Sequence, residues 1–317
     1  MISKCTVEGT EIPRIAEAKI VSDCTASTDT ASIIFPKLKA NPSDFHEGQR
    51  IELFLGYSKY GLKSEFSGVI GEVSPRAPIE LKCFDNFHLL RQRTLYRMFA
   101  GQTIEQILKE VVTDFPIVCD ETPVVTTGCP GLTVRWFLLQ LCRQYGFNAF
   151  FREGKLYFLK PGSTLLDEGE PPVFCEGENI LEDNLSFHTP ESVTQVVVLS
   201  ETEYGFLIRA QYGTAATNVH TIHCEGLAWN DAYKRAEELY NELNYGGFRG
   251  SFKTLGYPYV RHSLTCNIDS KTEGKAGTYR IDKVETNFGT GGFRRIVYLG
   301  KRTGAWKSTT KRKRIFD

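Results

Sequence analysis

The sequence predicts an α+β chain that is mainly β: a β-rich first block, a small α/β module, and a second β-rich block interrupted by one helix. Three observations predict it. Short runs of alternating apolar residues fill residues 1–93 and return after residue 163. Apolar spacing becomes helical between 103 and 145. Gly and Pro clusters separate the runs.

In the first block, Ile51, Leu53, Leu55 and Tyr57 alternate with Arg50, Glu52 and Gly56, as in a half-buried strand, although Phe54 occupies the outer face. Turn chemistry follows at Ser58-Lys59-Tyr60-Gly61, then a strand over 66–73. Ser74-Pro75 and Ala77-Pro78 break the chain before Ile79, Leu81 and Cys83 alternate again. Short strands at this spacing indicate an antiparallel barrel or sandwich.

Residues 94–162 form the module. Thr103-x-x-Gln106 has capping-box form, and Ile104, Ile107, Leu108, Val111 and Val112 make one helical stripe ending before Pro116. A second helix over about 133–145 carries Val134, Phe137, Leu138, Leu141 and Tyr145, with Gly146 suited to its left-handed end. A hairpin over 147–159 turns at Glu153-Gly154. Pro161, Gly162, Gly169, Pro171 and Pro172 mark a linker.

The second block, 163–317, reads as strands at 193–199, 206–210 and 219–224, a helix at about 228–244, and strands at 260–268, 278–287 and 293–299. The helix stripe is Trp229, Ala232, Tyr233, Ala236, Leu239, Tyr240 and Leu243, stopped by Gly246-Gly247. Two β-rich blocks of similar character hint at internal duplication, without a residue-level repeat.

Composition narrows the function classes. Among 317 residues, 38 Lys+Arg balance 38 Asp+Glu, so no global field draws the chain to nucleic acid or anionic lipid. The longest apolar run, 136–142, is too short to span a membrane, and the N-terminus lacks the apolar core of a signal peptide. A soluble protein made in a cytoplasm is expected. Nine scattered cysteines without a Cys-x-x-Cys read as reduced, mostly buried thiols.

Catalytic signatures such as Gly-x-Ser-x-Gly, His-Glu-x-x-His and Gly-Lys-[Ser/Thr] do not occur. Gly289-Thr290-Gly291-Gly292 reads as a hairpin turn, since its spacing does not match a dinucleotide loop. His220 and His223 are three apart in a strand and face opposite ways, so the remaining metal option pairs His220 with Cys224 and an outside ligand such as Cys266. The plainer reading is small and polar residues in a sheet. Glu237-Glu238 reads as the solvated face of a helix rather than an acid–base pair. No catalytic residue, cofactor or metal is expected. One strong charge feature stands out: Arg294, Arg295, Lys301, Arg302, Lys307, Lys311, Arg312, Lys313 and Arg314, with no acid before Asp317. It suits an acidic partner or nucleic acid, or else a solvated tail.

Several motifs in order carry a family resemblance. They are Gly48, Ile51 and Phe54-Leu55-Gly56-Tyr57; Phe66-Ser67-Gly68-Val69-Ile70; Leu81-Lys82-Cys83-Phe84-Asp85; and Phe99-Ala100-Gly101-Gln102-Thr103-Ile104 with Ile107-Leu108. Trp136-x-Leu138-x-x-Leu141, Tyr145-Gly146-Phe147 and Gly154-Lys155-Leu156-Tyr157-Phe158 follow. Gly277-Thr278-Tyr279-Arg280-Ile281, Val284-Glu285, Gly292-Phe293-Arg294 and Val297-Tyr298-Leu299 close the series. Over about 50–300 this order resembles the late control protein D family of phage baseplate hub proteins. That family is similar in turn to the N-terminal part of type VI secretion spike proteins. The chain departs at 257–262, where the family usually has a Pro-Gly turn.

The resemblance implies two tube-like antiparallel β-barrels with the α/β module between them. It implies a structural, non-enzymatic hub in the baseplate of a contractile phage-type tail, assembled in the host cytoplasm. A homotrimer of two-barrel chains would imitate a hexagon and join a hexameric tail tube protein to a trimeric, separate spike protein around a channel. Further partners would be tape-measure and baseplate wedge proteins, with nucleic acid only as transient cargo and no membrane insertion. The interfaces would bury about 2,000 Å² or more. The residues singled out for assembly are Phe54, Tyr57, Phe66, Tyr279, Phe293, Arg294, Arg295, Arg302, Lys311, Arg312, Lys313 and Arg314. Two other function classes compete: a β-rich cell-wall-degrading enzyme (glycosidase or peptidase), and a soluble carbohydrate-binding module.

Overall fold

The computed structural model describes residues 1–12, 14–25, 28–36, 42–74, 78–166, 169–190, 192–202, 204–214 and 217–306. The first strands are β1 (Ile2–Val7), β2 (Thr10–Ile12), β3 (Glu17–Asp23), β4 (Thr30–Phe35), β5 (Arg50–Tyr57), β6 (Gly61–Val73) and β7 (Ile79–Phe84). Then come β8 (Thr94–Thr103), α1 (Ile104–Val111), β9 (Ile117–Cys119), β10 (Val124–Thr133), α2 (Val134–Tyr145), β11 (Asn148–Arg152) and β12 (Lys155–Leu159). The remainder is β13 (Val173–Cys175), β14 (Ile180–His188), β15 (Gln195–Glu201), β16 (Leu207–Gly213), β17 (Val219–Glu225), α3 (Trp229–Leu243), β18 (Gly247–Leu255), β19 (Thr265–Asp269), β20 (Gly277–Gly289) and β21 (Gly292–Gly304). The chain is α+β and mainly β, as its patterning predicts.

Local chemistry sets several of these boundaries. Thr103 accepts a hydrogen bond from the Gln106 amide while the Gln106 side chain accepts one from the Thr103 amide, so the predicted capping box starts α1. Gly146 ends α2 in the left-handed region, with its amide donating to Cys142 O. Glu153 and Gly154 both have positive φ, as a two-residue hairpin turn between twisted strands requires. Thr290-Gly291 likewise joins β20 to β21, because Gly289 pairs with Gly292.

The β-rich blocks do not form two separate closed barrels among the described residues. One sheet of 13 strands runs β14-β18-β21-β20-β3-β4-β7-β6-β5-β1-β2, with β19 and β13 branching from β20. The β20–β21 hairpin is the reason. Lys283–Phe288 of β20 pair with Ala18–Asp23 of β3, so the last strands complete the first block. Phe288 and Phe293 at the hairpin tip lie in a core with Ile33, Phe35, Leu53 and Leu81. Its base places Tyr279, Ile281, Val284, Val297 and Leu299 in a second core with Phe174 and Phe252.

A third and larger core lies under α1 and α2. It also holds Val196, Val198, Ala210 and Cys224 of the β16-β15-β17 sheet, and Ala232 and Ala236 of α3. Sequence patterning places 193–243 in the second β-rich block, whereas its apolar faces pack with the module. The predicted strand over 260–268 begins only at Thr265. Before it, Tyr259, Arg261 and His262 turn away from any ladder toward a polar seam described below.

Candidate assembly interface

No group of three or more His, Cys, Asp or Glu side chains suited to a metal ion occurs among the described residues. Cys224 is buried with its Sγ 3.1 Å from Gln144 O, while Cys266 lies in a different core, so these two and His220 do not assemble. All nine cysteines are free thiols, and burial pushes those of Cys83 and Cys266 up. Glu238 is half exposed and ion-paired to Lys160 at 2.7 Å. No described helix is long and apolar enough to cross a membrane.

The sequence-predicted assembly residues divide by depth. Phe66, Tyr279 and Phe293 are buried in the protomer's own cores, and Arg295 is buried in a polar seam. Strand alternation turns these positions inward. Phe54, Arg294 and Arg302 are half-buried. Tyr57 is also half-buried, and its hydroxyl donates to Phe293 O at 3.2 Å. Lys311, Arg312, Lys313 and Arg314 lie outside the described residues. The basic stretch is therefore split, with Arg295 inside and Arg294 on the opposite face.

Arg295 belongs to a polar seam where β6, the 256–263 segment and the β11–β12 hairpin meet. A bulge makes it possible. Leu53 pairs with Phe66 and Phe54 with Ser64, so Glu65 is the extra residue and turns inward beside Phe66. There Arg295 Nη2 donates to Glu65 Oε1 at 2.5 Å, while Nη1 donates to Val260 O at 3.0 Å. Tyr259 and Arg261 both donate to Ser64 O at 2.7 Å, and Arg152 donates to His262 O at 2.7 Å. Burial pushes Glu65 up and the Arg295 charge pulls it back.

Asp29 sits in the same seam, accepting from the Asp23 amide at 3.1 Å and from the Ser22 hydroxyl. His262 Nε2 lies 3.9 Å away, Arg152 and Arg261 add positive charge, and Asp85 adds negative charge. Burial raises Asp29 to about 6 and pushes His262 well below its ordinary value. The raised Asp29 value means that protonation favours the folded state. Its stabilisation is complete below the unfolded value near 4 and is lost as pH rises through about 6. His262 has the opposite sign, losing stabilisation as pH falls below about 6.5. Asp29→Asn mimics the protonated acid. The variant's melting temperature should exceed that of the parent at pH 7.5, by a margin that shrinks toward pH 4. A margin independent of pH would refute this assignment.

The exposed apolar residues lie elsewhere. β8 pairs with β10 as a two-stranded ribbon whose inner positions Phe99, Val125 and Cys129 enter the module core. Its outer face shows Tyr96 at 83% and Met98 at 70% exposure. Met98 lies over Gly128 and Tyr96 over Gly131, where an added Cβ would come within 2.5 Å and 2.8 Å of their side chains. The two glycines thus let the side chains lie flat as an apolar shelf. Phe206 and Leu207 at the start of β16, and Phe187 on β14, are also mostly exposed. β14 ends the long sheet, and no strand pairs with its outer edge among the described residues. Sequence patterning missed the ribbon because its outward Tyr96 and Met98 are as apolar as its inward residues, which erases the period of two.

No family model matches the sequence, and no curated protein matches it. Solved structures do. A tail protein from Neisseria meningitidis MC58 superposes with TM-score 0.71 at 16% identity, over 96% of this chain and 97% of that one. The 43 kDa tail protein of prophage MuSo2 from Shewanella oneidensis gives 0.66 at 13% identity, over 94% and 97%. An Escherichia coli type VI secretion component, described as similar to the T4 tail proteins gp27 and gp5, gives 0.60 at 13% identity, over 96% and 79%. End-to-end agreement at such low identity shows that this chain shares one fold with these tail proteins.

Proposed function

We propose that this chain is the structural baseplate hub of a contractile phage-type tail. Three copies form a pseudo-hexameric ring that joins a hexameric tail tube to a trimeric spike and leaves a central channel. The observation that carries the reading is the fold shared with a tail protein over 96% of the chain and with a prophage tail protein over 94%. The likeness to a type VI secretion component described through gp27 and gp5 supports the same reading.

The residue-level features agree with an assembling role. Two β-rich cores share one sheet, giving each protomer a pair of fused β units. Exposed Tyr96, Met98, Phe187, Phe206 and Leu207 offer apolar area of the kind that obligate interfaces cover. Late control protein D is the family whose motifs the sequence resembles, and tube, spike, tape-measure and wedge proteins are the partners that this reading assigns. The work of such a protein is geometric, and the reading assigns it no reaction.

Native mass measurement tests it. The chain weighs 35.8 kDa, so three copies give 3 × 35.8 ≈ 107 kDa. A species of about 107 kDa is expected for the chain alone, or, on mixing with the tube or spike protein, a heavier complex that holds three copies of this chain. A monomer that stays monomeric with both partners would overturn the ring.

A further inference from the structure

A cleft of about 260 Å³ lies between α3, the end of β12 and the bulged part of the β20–β21 hairpin. Its charges are placed by glycine and by bulges. An added Cβ at Gly146 would lie 2.3 Å from the Arg235 guanidinium, and one at Gly300 would lie 2.3 Å from the Asp282 carboxylate. The pairing shifts between Tyr279 and Lys283 re-aim Arg280, Asp282 and Lys301 out of simple alternation. Five cations and three carboxylates line the cleft, leaving two positive charges over.

The contacts locate that excess. Arg280 pairs with Asp282 at 2.6 Å and also feels Glu242. Lys160 and Arg235 share Glu238, at 2.7 Å and 4.0 Å. Arg249 and Lys301 remain, and neither meets a carboxylate within ion-pair distance among the described residues. Both flank the Tyr245 ring, 5.1 Å and 5.7 Å from its centroid. Lys301 spends one donor on Asn241 O at 3.2 Å, and the buried Arg249 Nε has no hydrogen-bond partner. An anion in the cleft would engage the two cations through charge-assisted hydrogen bonds.

We propose that this cleft binds a doubly charged phosphoryl group, free or as a monoester, on Arg249 and Lys301. Charge decides the class, since two uncompensated cations match a phosphoryl group at neutral pH better than a single carboxylate. The planar fork of Arg249 suits two phosphoryl oxygens and Lys301 adds a point charge. The inference stands apart from the hub reading, because it needs one protomer only.

Calorimetric titration of the full chain with inorganic phosphate, at constant ionic strength, tests it. Saturable binding of one phosphate per chain with half-saturation below about 1 mM is expected. Arg249→Gln and Lys301→Gln should each weaken it by about tenfold or more. Phenyl phosphate separates the two sources: equal or tighter binding supports a phosphorylated ligand, and exclusion supports the free ion. The circular dichroism spectra of both variants should match the parent, and if Arg249→Gln does not fold, Lys301→Gln alone decides. Absence of saturable binding of either probe up to about 20 mM, or equal binding by the folded variants, overturns the proposal.

Discussion

Arg295→Ala is expected to destabilise the chain by about 3–5 kcal/mol, the cost of leaving a buried charge without its partner. Glu65 would keep its carboxyl group in the seam, with Arg261 as the remaining cation that acts on it among the described residues. The carbonyls of Gly256 and Val260 would lose their guanidinium donor. Replacing both partners, with Glu65→Leu and Arg295→Met, should recover most of the loss, because a well-packed apolar pair avoids the desolvation of two ions. Urea midpoints of the single and double variants measure this. A single variant within about 1 kcal/mol of the parent would show that the pair does not hold the seam together.

Phe293→Ala should cost about 3–5 kcal/mol, through lost burial and the cavity left behind. Its ring packs 5.5 Å from Tyr57 and 5.7 Å from Phe288, and lies against Gly256, where a Cβ would come within 2.2 Å. The cavity would open at the tip of the hairpin that the two β-rich cores share. The same substitution at exposed Phe206 should stay within about 0.5 kcal/mol in the isolated protomer. If both substitutions cost the same, Phe293 is not the anchor that its packing describes.

Sequence patterning read the local features well, because their causes are local. The α1 capping box, the glycine end of α2 and the turns at Glu153-Gly154 and Thr290-Gly291 each depend on a few neighbouring residues. What it missed depends on pairing between distant segments. Nothing near 283–288 says that β20 continues onto β3, and the bulge at Glu65 is a property of the β5–β6 register. Arg295 is different, since it falls in phase with Phe293, Val297 and Leu299 on the buried face of β21. Alternation alone would have removed it from the basic surface. The exposed apolar shelf of Tyr96 and Met98 carries no period-two signal, because each of its residues looks like ordinary core.

The shared hairpin also decides how the protein would bear load. β20 and β21 are 13 residues each and continue from one β-rich core into the other, with the pairing shifts gathered between Thr278 and Lys283. A twist applied at either end passes along covalent backbone, and the β3–β20 ladder meets shear with six residue pairs acting together. The two halves are thereby joined through paired strands rather than through a loop alone.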